Sequence, residues 1–221
     1  MLMHRGPYYA ARWSLIKSLV TEASPSSILE LGCGPGIWLS ALESRYDIAG
    51  LDIRRDILLS ASSNTDAALI RADACCLPFS HHSCDMVIGV DVIEHVKDDS
   101  IFLNEAKRVL KPKGHLLITT LIRARRGYVR RMSFDDHIRE YSPEGIREMF
   151  ADAGFDIVRV SYFYGPIQTI ARETAAIFEP YRLLWPVMSL LTGIVCALFP
   201  SSKSEDMSGG IAVLAIAEHD S

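Results

Sequence analysis

The sequence predicts an α/β fold in which helices cover a mostly parallel β-sheet, and three observations support this. Short apolar runs alternate with segments of helical periodicity, as they do where crossover helices join parallel strands. A glycine-rich stretch directly follows the first apolar run, which is where open α/β sheets bind ligands. The chain of 221 residues is long enough for one sizeable core. We therefore expect a single domain over residues 1–221.

Seven apolar runs are candidate strands, because each is short and is bounded by glycine, proline or polar residues. They are residues 27–31, 48–52, 68–72, 85–90, 115–121, 155–162 and 211–217. The helices between them have readable ends. Asp98 or Asp99 is expected to cap a helix that ends before Gly114. Ser142 is expected to cap another helix, which Gly154 ends.

Composition and charge narrow the classes of function. The formal net charge of −4 gives no basic field for nucleic acid. No apolar run opens the sequence, so we expect no secretory signal. The five cysteines include no C-x-x-C pair, which favours reduced thiols in a cytoplasmic protein over a metal or redox site. We predict no bound metal.

The most informative stretch is the glycine-rich loop Gly32-Cys33-Gly34-Pro35-Gly36, which joins the first strand to a helix. Glycines let the backbone turn sharply and let a ligand lie against the main chain. A dinucleotide fingerprint would place its third glycine at position 37, which is Ile37 here. The spacing therefore disfavours an NAD-dependent oxidoreductase. A plain strand-to-helix turn remains the structural alternative.

Two aspartates follow the next two predicted strands. Asp52 ends the second strand, where a carboxylate accepts hydrogen bonds from ribose hydroxyls. Asp73 lies at the end of the third strand, where a carboxylate can accept a hydrogen bond from an exocyclic adenine amine. The structural alternatives are a helix cap for Asp52 and a solvated turn for Asp73. Carboxyl ends of parallel strands meet at one edge of a sheet, so the three features together predict a nucleotide-type site.

The order of motifs resembles the class I S-adenosylmethionine-dependent methyltransferases. It reads E-L-G-C-G-P-G, L-D-I, A-D-A-x-x-L-P-F, D-M-V-I-G-V-D-V-I-E-H-V and A-K-R-V-L-K-P-K-G-H-L-L-I-T. It is most similar to the branch that includes the ubiquinone and menaquinone biosynthesis methyltransferases. The resemblance covers about 27–160 and 210–218 and implies a Rossmann-like three-layer sandwich, with a seven-stranded, mostly parallel sheet whose last strand is antiparallel. One departure is Lys113, where the family more often has glycine.

The resemblance also implies the cofactor S-adenosyl-L-methionine and the residues that contact it. Glycines and a glutamate would line the methionine, and two residues at the end of the fourth strand would border the methionine and the reacting methyl. Aspartates would hold the ribose and the adenine. The implied contacts are Glu30, Gly32, Gly34, Gly36, Val90 and Asp91 for the methionine end, Asp52 for the ribose, and Ile53, Asp73 and Ala74 for the adenine.

Two histidines are the candidate catalytic residues. Asp91 is followed by Val-Ile-Glu-His rather than by the N/D-P-P-Y run of nucleic-acid and glutamine N-methyltransferases. Glu94 and His95 are similar to an E-H pair of the ubiquinone branch, with helix capping and packing as the alternative. His137 precedes the Ser142 helix, in a stretch that roofs the acceptor pocket of similar enzymes. It is either an acceptor contact or base, or a loop histidine.

An arginine cluster and an apolar insertion suggest the nature of the acceptor. The arginine cluster lies within residues 123–131. It would bind a carboxylate, a phosphate or an anionic lipid, or it would simply be a solvated loop. Residues 165–209 form a helical insertion whose 185–199 stretch is the most apolar of the chain. A membrane span is disfavoured because the last strand must return to the sheet. The insertion would be a lid, a membrane-interface or self-association helix, or extra core. The arginines are Arg123, Arg125, Arg126, Arg130 and Arg131.

These observations predict S-adenosylmethionine-dependent methyl transfer to a small-molecule acceptor that is apolar or lipid-like. The alternative is a regulatory protein that binds S-adenosylmethionine without catalysis. We expect a cytoplasmic protein with no nucleic-acid partner, and a peripheral membrane contact through 165–200 as a further option. The sequence specifies neither the acceptor nor the oligomeric state.

Overall fold

The computed structural model describes residues 7–122, 139, 141–163, 187, 190–191, 194 and 210–218. Its strands are β1 Ser27–Leu31, β2 Asp47–Asp52, β3 Ala68–Arg71, β4 Cys84–Val90, β5 Leu110–Leu121, β6 Phe155–Phe163 and β7 Gly210–Ala217. Its helices are α1 Pro7–Ala23, α2 Ile37–Leu42, α3 Arg55–Ala61, α4 Asp99–Val109 and α5 Pro143–Asp152, together with a single 3₁₀ turn at Ile93–His95.

The strands form one seven-stranded sheet in the order β3-β2-β1-β4-β5-β7-β6. β7 is antiparallel to both of its neighbours, and the other pairs are parallel. This confirms the predicted fold class. The strand order reverses between β1 and β4, and open α/β sheets bind ligands in the crevice at such a switch point.

Two apolar cores lie on opposite faces of the sheet, because successive side chains of a strand point to opposite faces. Leu29 packs with Phe102 of α4 and Phe150 of α5 in one core. Ile28 packs with Ile16 of α1 and Leu39 of α2 in the other core. Helices therefore cover both faces, and the sheet edge formed by the strand ends is left for the site.

The predicted helix caps are confirmed. Asp98 accepts a hydrogen bond from the Ile101 amide at 3.0 Å, and Ser142 accepts one from the Gly145 amide at 3.0 Å. Strand β5 begins earlier than the sequence predicted, because α4 ends at Val109 and Leu110 already pairs with Cys84. The proline and glycine after Leu110 lie inside the strand, at an irregularity in its register.

Lys113 has a φ of 64° within β5, a conformation that side chains other than glycine adopt at a cost. The family's frequent glycine at this position thus has a backbone explanation. We expect Lys113→Val to lower the free energy of unfolding by about 1–2 kcal/mol, because a β-branched residue fits left-handed backbone poorly. Lys113→Gly should not lower it. Urea denaturation of both variants checks this, and equal losses would contradict the backbone explanation.

Both long connections after β5 start from one edge of the sheet. Gly210, the first residue of β7, pairs with Leu121, the last residue of β5, and with Phe163, the last residue of β6. The chain therefore leaves the sheet after β5 and after β6, and re-enters it at β7, at three adjacent positions. Because Leu121 and Phe163 are the carboxyl ends of their strands, this is the same edge as the loop after β1. Within the described residues, no helix has the length and apolarity needed to cross a membrane.

Candidate active site

The glycine loop turns sharply after β1 and leaves one side of its backbone open. Gly32, Gly34 and Gly36 have φ values of 66°, 53° and 76°, which glycine adopts without a steric penalty. A Cβ added to Gly32 would lie 2.6 Å from Val92, whereas one added to Gly34 would meet no atom within 4 Å. The Gly34 backbone therefore borders open space at the start of α2.

Asp52 ties the glycine loop to the end of β2. Its Oδ2 accepts a hydrogen bond from the Gly34 amide at 3.1 Å, and its Oδ1 accepts one from the Arg54 amide at 2.9 Å. The carboxylate thus orders both the loop and the residues just before α3. Ile53 follows with 59% of its surface exposed, an apolar side chain left uncovered beside this carboxylate.

Asp73 lies in the turn after β3, next to Asp52. The Ala72 amide donates to the Asp52 carbonyl at 3.3 Å, which joins the two strand ends. Asp73 Oδ1 accepts a hydrogen bond from the Cys75 amide at 2.9 Å, and Ala74 is buried. The sequence placed these residues correctly at neighbouring strand ends.

Glu30 is buried in β1, directly behind the glycine loop. Its Oε2 has no hydrogen-bond partner among the described residues. Burial, and secondarily the negative charge of Asp52, raise the pKa of this carboxyl well above its ordinary value. A buried polar atom without a partner costs stability, and this one lies near the carboxyl end of β1, the kind of sheet edge at which open α/β folds bind ligands.

Asp91, which follows Val90 at the end of β4, has a φ of 52°. Its Oδ1 lies 2.6 Å from a guanidinium nitrogen of Arg12, and that nitrogen also donates to Thr119 at 2.7 Å. The Arg12 guanidinium lies over the Phe163 ring at 5.1 Å. The N-terminal helix thereby supplies a buried cation to the carboxyl ends of β4, β5 and β6.

Arg12 is the site residue that sequence reasoning missed. It belongs to no motif, and its partner Thr119 lies 107 residues away along the chain. One signal was available: Arg12 occupies the same face of α1 as the buried Ile16 and Leu19, four and seven residues later. A charged residue on an apolar helix face requires a buried partner.

Glu94 and His95 lie in the 3₁₀ turn that follows Asp91. His95 is exposed, whereas Glu94 is only 2% exposed. Tyr141 donates a hydrogen bond from its hydroxyl to the Ile93 carbonyl at 3.1 Å and so holds the turn in place. No group of three or more histidine, cysteine or acidic side chains suited to a metal ion occurs in the described part of the chain.

Three sequence predictions fall on residues outside the described ones. They concern His137, the arginine cluster of 123–131 and most of the 165–209 insertion. Four residues of the insertion are described, namely Val187, Leu190, Leu191 and Ile194, and they are helical and exposed. Ile122 and Tyr141, which flank the segment that contains His137, form a β-bridge with each other.

Comparison with known proteins agrees with this geometry. A family model described as a methyltransferase domain matches residues 4–160. A ubiquinone biosynthesis O-methyltransferase of Bradyrhizobium diazoefficiens is 24% identical over 73% of this chain and 66% of its own length. A probable S-adenosylmethionine-dependent methyltransferase of Mycobacterium tuberculosis is 29% identical over 72% of this chain and 60% of its own length.

A solved methyltransferase structure shares the fold. The S-adenosylmethionine-dependent methyltransferase from Mesorhizobium loti superposes with a TM-score of 0.67 and 19% identity, covering 96% of this chain and 100% of that chain. The chain spans only 60% to 66% of the length of the two curated relatives. The family model nevertheless covers more than half of the chain, and the sheet order agrees with it. The chain therefore belongs to the class I S-adenosylmethionine-dependent methyltransferases.

Proposed function

We propose that the protein transfers a methyl group from S-adenosylmethionine to a small-molecule acceptor. The observation that carries the proposal is the open backbone of Gly34, which Asp52 holds in place beside the switch point of the sheet. A carbon atom placed on Gly34 would meet no other atom within 4 Å, so there is space beside this backbone for part of a ligand. The named relatives support the same reaction, and no observation favours a non-catalytic regulatory protein.

The residues at this edge fit S-adenosylmethionine. The free side of Gly34 and the unpartnered Oε2 of Glu30 suit the methionine end. Asp52 Oδ1 and Oδ2 each accept one protein hydrogen bond, so lone pairs remain for two ribose hydroxyls. The exposed Ile53 would pack on the adenine, and Asp73 with Ala74 would contact its edge. Gly32, Gly36, Val90 and Asp91 would complete the contacts.

The bound cofactor would supply an activated methyl on a sulfonium, so the protein mainly has to align the acceptor and exclude water. The ion pair between the buried Arg12 and the half-buried Asp91 holds the carboxyl end of β4 in one geometry. His95, exposed just beyond Asp91, is proposed as an acceptor contact or base. His137 is proposed for the same role. It belongs to the segment between Ile122 and Tyr141, which form a β-bridge, and Tyr141 also binds the 3₁₀ turn through the Ile93 carbonyl.

The acceptor is proposed to be apolar or lipid-like and to reach the site from a membrane surface. Val187, Leu190, Leu191 and Ile194 recur at the spacing of one helix face and are 56%, 66%, 49% and 47% exposed. No charged residue occurs between Arg182 and Lys203. The insertion starts and ends at the carboxyl edge of the sheet, so a membrane contact there would lie on the side of the donor site.

This proposal predicts binding to vesicles. We expect the protein to float with phosphatidylglycerol-containing vesicles, and the double substitution Leu190→Glu, Leu191→Glu to weaken that binding about 10-fold or more. The matched control is Leu59→Glu on α3, since Leu59 is also 63% exposed but lies outside the insertion. Equal flotation of the wild type and the double variant would contradict the membrane contact.

Methyl transfer itself is tested with radiolabelled S-adenosylmethionine and an extract separated into lipid and water-soluble fractions. We expect label in a small molecule of the lipid fraction. A labelled product in the water-soluble fraction would support methyl transfer but would refute the proposal that the acceptor is lipid-like. Tight donor binding with no labelled product in either fraction would contradict catalysis.

A further inference from the structure

Glu94 is a buried carboxyl for which the fold supplies little compensation. It is 2% exposed, and neither of its oxygens makes a hydrogen bond of good geometry with the described residues, although its own backbone amide and the Thr120 hydroxyl lie close enough to favour the ionised form. An ionised carboxylate in such a place is expensive unless a positive group approaches it. The nearby cation Arg12 is already engaged with Asp91 and Thr119. The structure thus keeps a destabilising buried carboxyl just after β4, and the end of β4 borders the proposed position of the methyl group.

The turn that carries Glu94 is rigidly held. The single hydroxyl hydrogen of Tyr141 is shared between the Ile93 carbonyl, at 3.1 Å, and Asp99, at 3.3 Å. Arg139 donates to the Lys97 carbonyl at 2.6 Å and forms an ion pair with Asp99 at 2.9 Å. These contacts fix the backbone at the start of the 3₁₀ turn and in the residues just after it, and so fix the position from which the Glu94 side chain extends. Rigid placement is what a proton-transfer group requires.

The charges around Glu94 leave it able to take up and release a proton near neutral pH. Burial, and secondarily the negative charge of Asp91, raise its pKa to about 7, and its own backbone amide, the Thr120 hydroxyl and the charge of His95 oppose that rise. Asp91 and His95, on the same stretch, are the charged groups that act on Glu94. Beyond them, Arg12 of α1 pairs with Asp91, and Arg139 and Tyr141 contact Asp99 of α4.

We propose that Glu94 is the proton-accepting residue of the methyl-transfer site, a role that rests on the proposed function. The acceptor is then a protic nucleophile that carries an O–H or N–H group. Its nucleophilic atom forms the new bond to carbon, its proton goes to a Glu94 oxygen, and the electron pair of the broken carbon–sulfur bond stays on sulfur. Before transfer, the negative Glu94 carboxylate would be balanced by the positive sulfonium of the donor. After transfer, Glu94 is a neutral carboxylic acid and the sulfur is a neutral thioether. The sum of the two charges is therefore zero at both stages.

This charge balance predicts opposite proton exchange for the two forms of the cofactor, without any acceptor. Binding of the sulfonium favours ionised Glu94, so S-adenosylmethionine should release protons when it binds. Binding of the neutral thioether favours the acid, so S-adenosylhomocysteine should take protons up. Near pH 7 each effect amounts to about half a proton, so the two ligands should differ by about one proton. Both ligands carry the same amino group, so any proton that it exchanges on binding is the same for both and cancels in the difference between them.

The experiment is titration calorimetry of both ligands at pH 7 in buffers of different ionisation enthalpy. We expect the difference of about one proton in the wild type, its loss in Glu94→Gln, and its retention in Asp47→Asn, whose exposed carboxyl lies at the end of β2 away from the site. Equal proton exchange for both ligands in the wild type would overturn the inference, and so would a difference that persists in Glu94→Gln. The wild-type result stands even if a variant does not fold. Failure of the wild type to bind either ligand would instead refute the donor site and the inference with it.

Discussion

Glu94→Gln is expected to stabilise the protein at alkaline pH by about 3 kcal/mol, the largest single effect on stability that we predict. Burial raises the pKa of Glu94 in the folded protein from an ordinary 4.5 to about 7. Below pH 4.5 the carboxyl is protonated in both the folded and the unfolded state, so its ionisation does not affect stability. As the pH rises from 4.5 to 7 the folded protein holds more protons than the unfolded chain, so stability falls, and above pH 7 the full cost remains.

The measurement is urea denaturation of wild type and variant between pH 4 and pH 9. The two curves should converge at the acidic end and separate through pH 7. Glu105→Gln is the matched control with the opposite sign, because hydrogen bonds from Arg108 lower the pKa of Glu105. Glu105 therefore stabilises the folded state above its unfolded pKa, and its removal should destabilise the protein there. A Glu94→Gln gain that does not change with pH would show that the effect is one of packing.

Asp52→Ala is expected to reduce the affinity for S-adenosylmethionine and S-adenosylhomocysteine about 100-fold or more. The carboxylate would hold both ribose hydroxyls, and it already accepts the hydrogen bond from the Gly34 amide that orders the glycine loop. Its removal would eliminate the charge-assisted bonds and release the loop together. The affinity is measured by titration calorimetry on protein whose folding is checked by circular dichroism.

Asp47→Ala is the matched control for this prediction. Asp47 is an exposed aspartate at the opposite end of the same strand, β2. We expect it to bind both ligands as the wild type does. Asp52→Ala with undiminished affinity would show that the donor does not use the end of β2, and the proposed set of contact residues would have to be moved.

The fold and most of the donor edge could be predicted from the sequence because they depend on local signals. The glycine loop, Asp52 and Asp73 each follow a short apolar strand directly, and parallel strand ends necessarily meet at one edge. The caps Asp98 and Ser142 were also predictable, since a side chain three residues before the amide it accepts from is a local feature. The antiparallel β7 was expected only through family resemblance.

The remaining features depend on tertiary packing. Arg12 reaches Asp91 and Thr119 only because α1 packs across the sheet. The burial of Glu94 depends on packing around the 3₁₀ turn, whose Ile93 carbonyl is bound by Tyr141 from 48 residues away along the chain. Strand β5 starts early because Leu110 already pairs with Cys84 of β4, and the left-handed backbone at Lys113 cannot be predicted from a lysine. Site residues held by contacts distant in sequence were therefore the ones that pattern reading missed.

The most direct test of the proposed function is titration calorimetry of the wild-type protein with S-adenosylmethionine, S-adenosylhomocysteine and NAD. We predict that the first two bind with micromolar affinity at one site per chain and that NAD does not bind. Binding of NAD with no binding of either S-adenosyl ligand would contradict the donor site at the glycine loop, and with it the methyltransferase function.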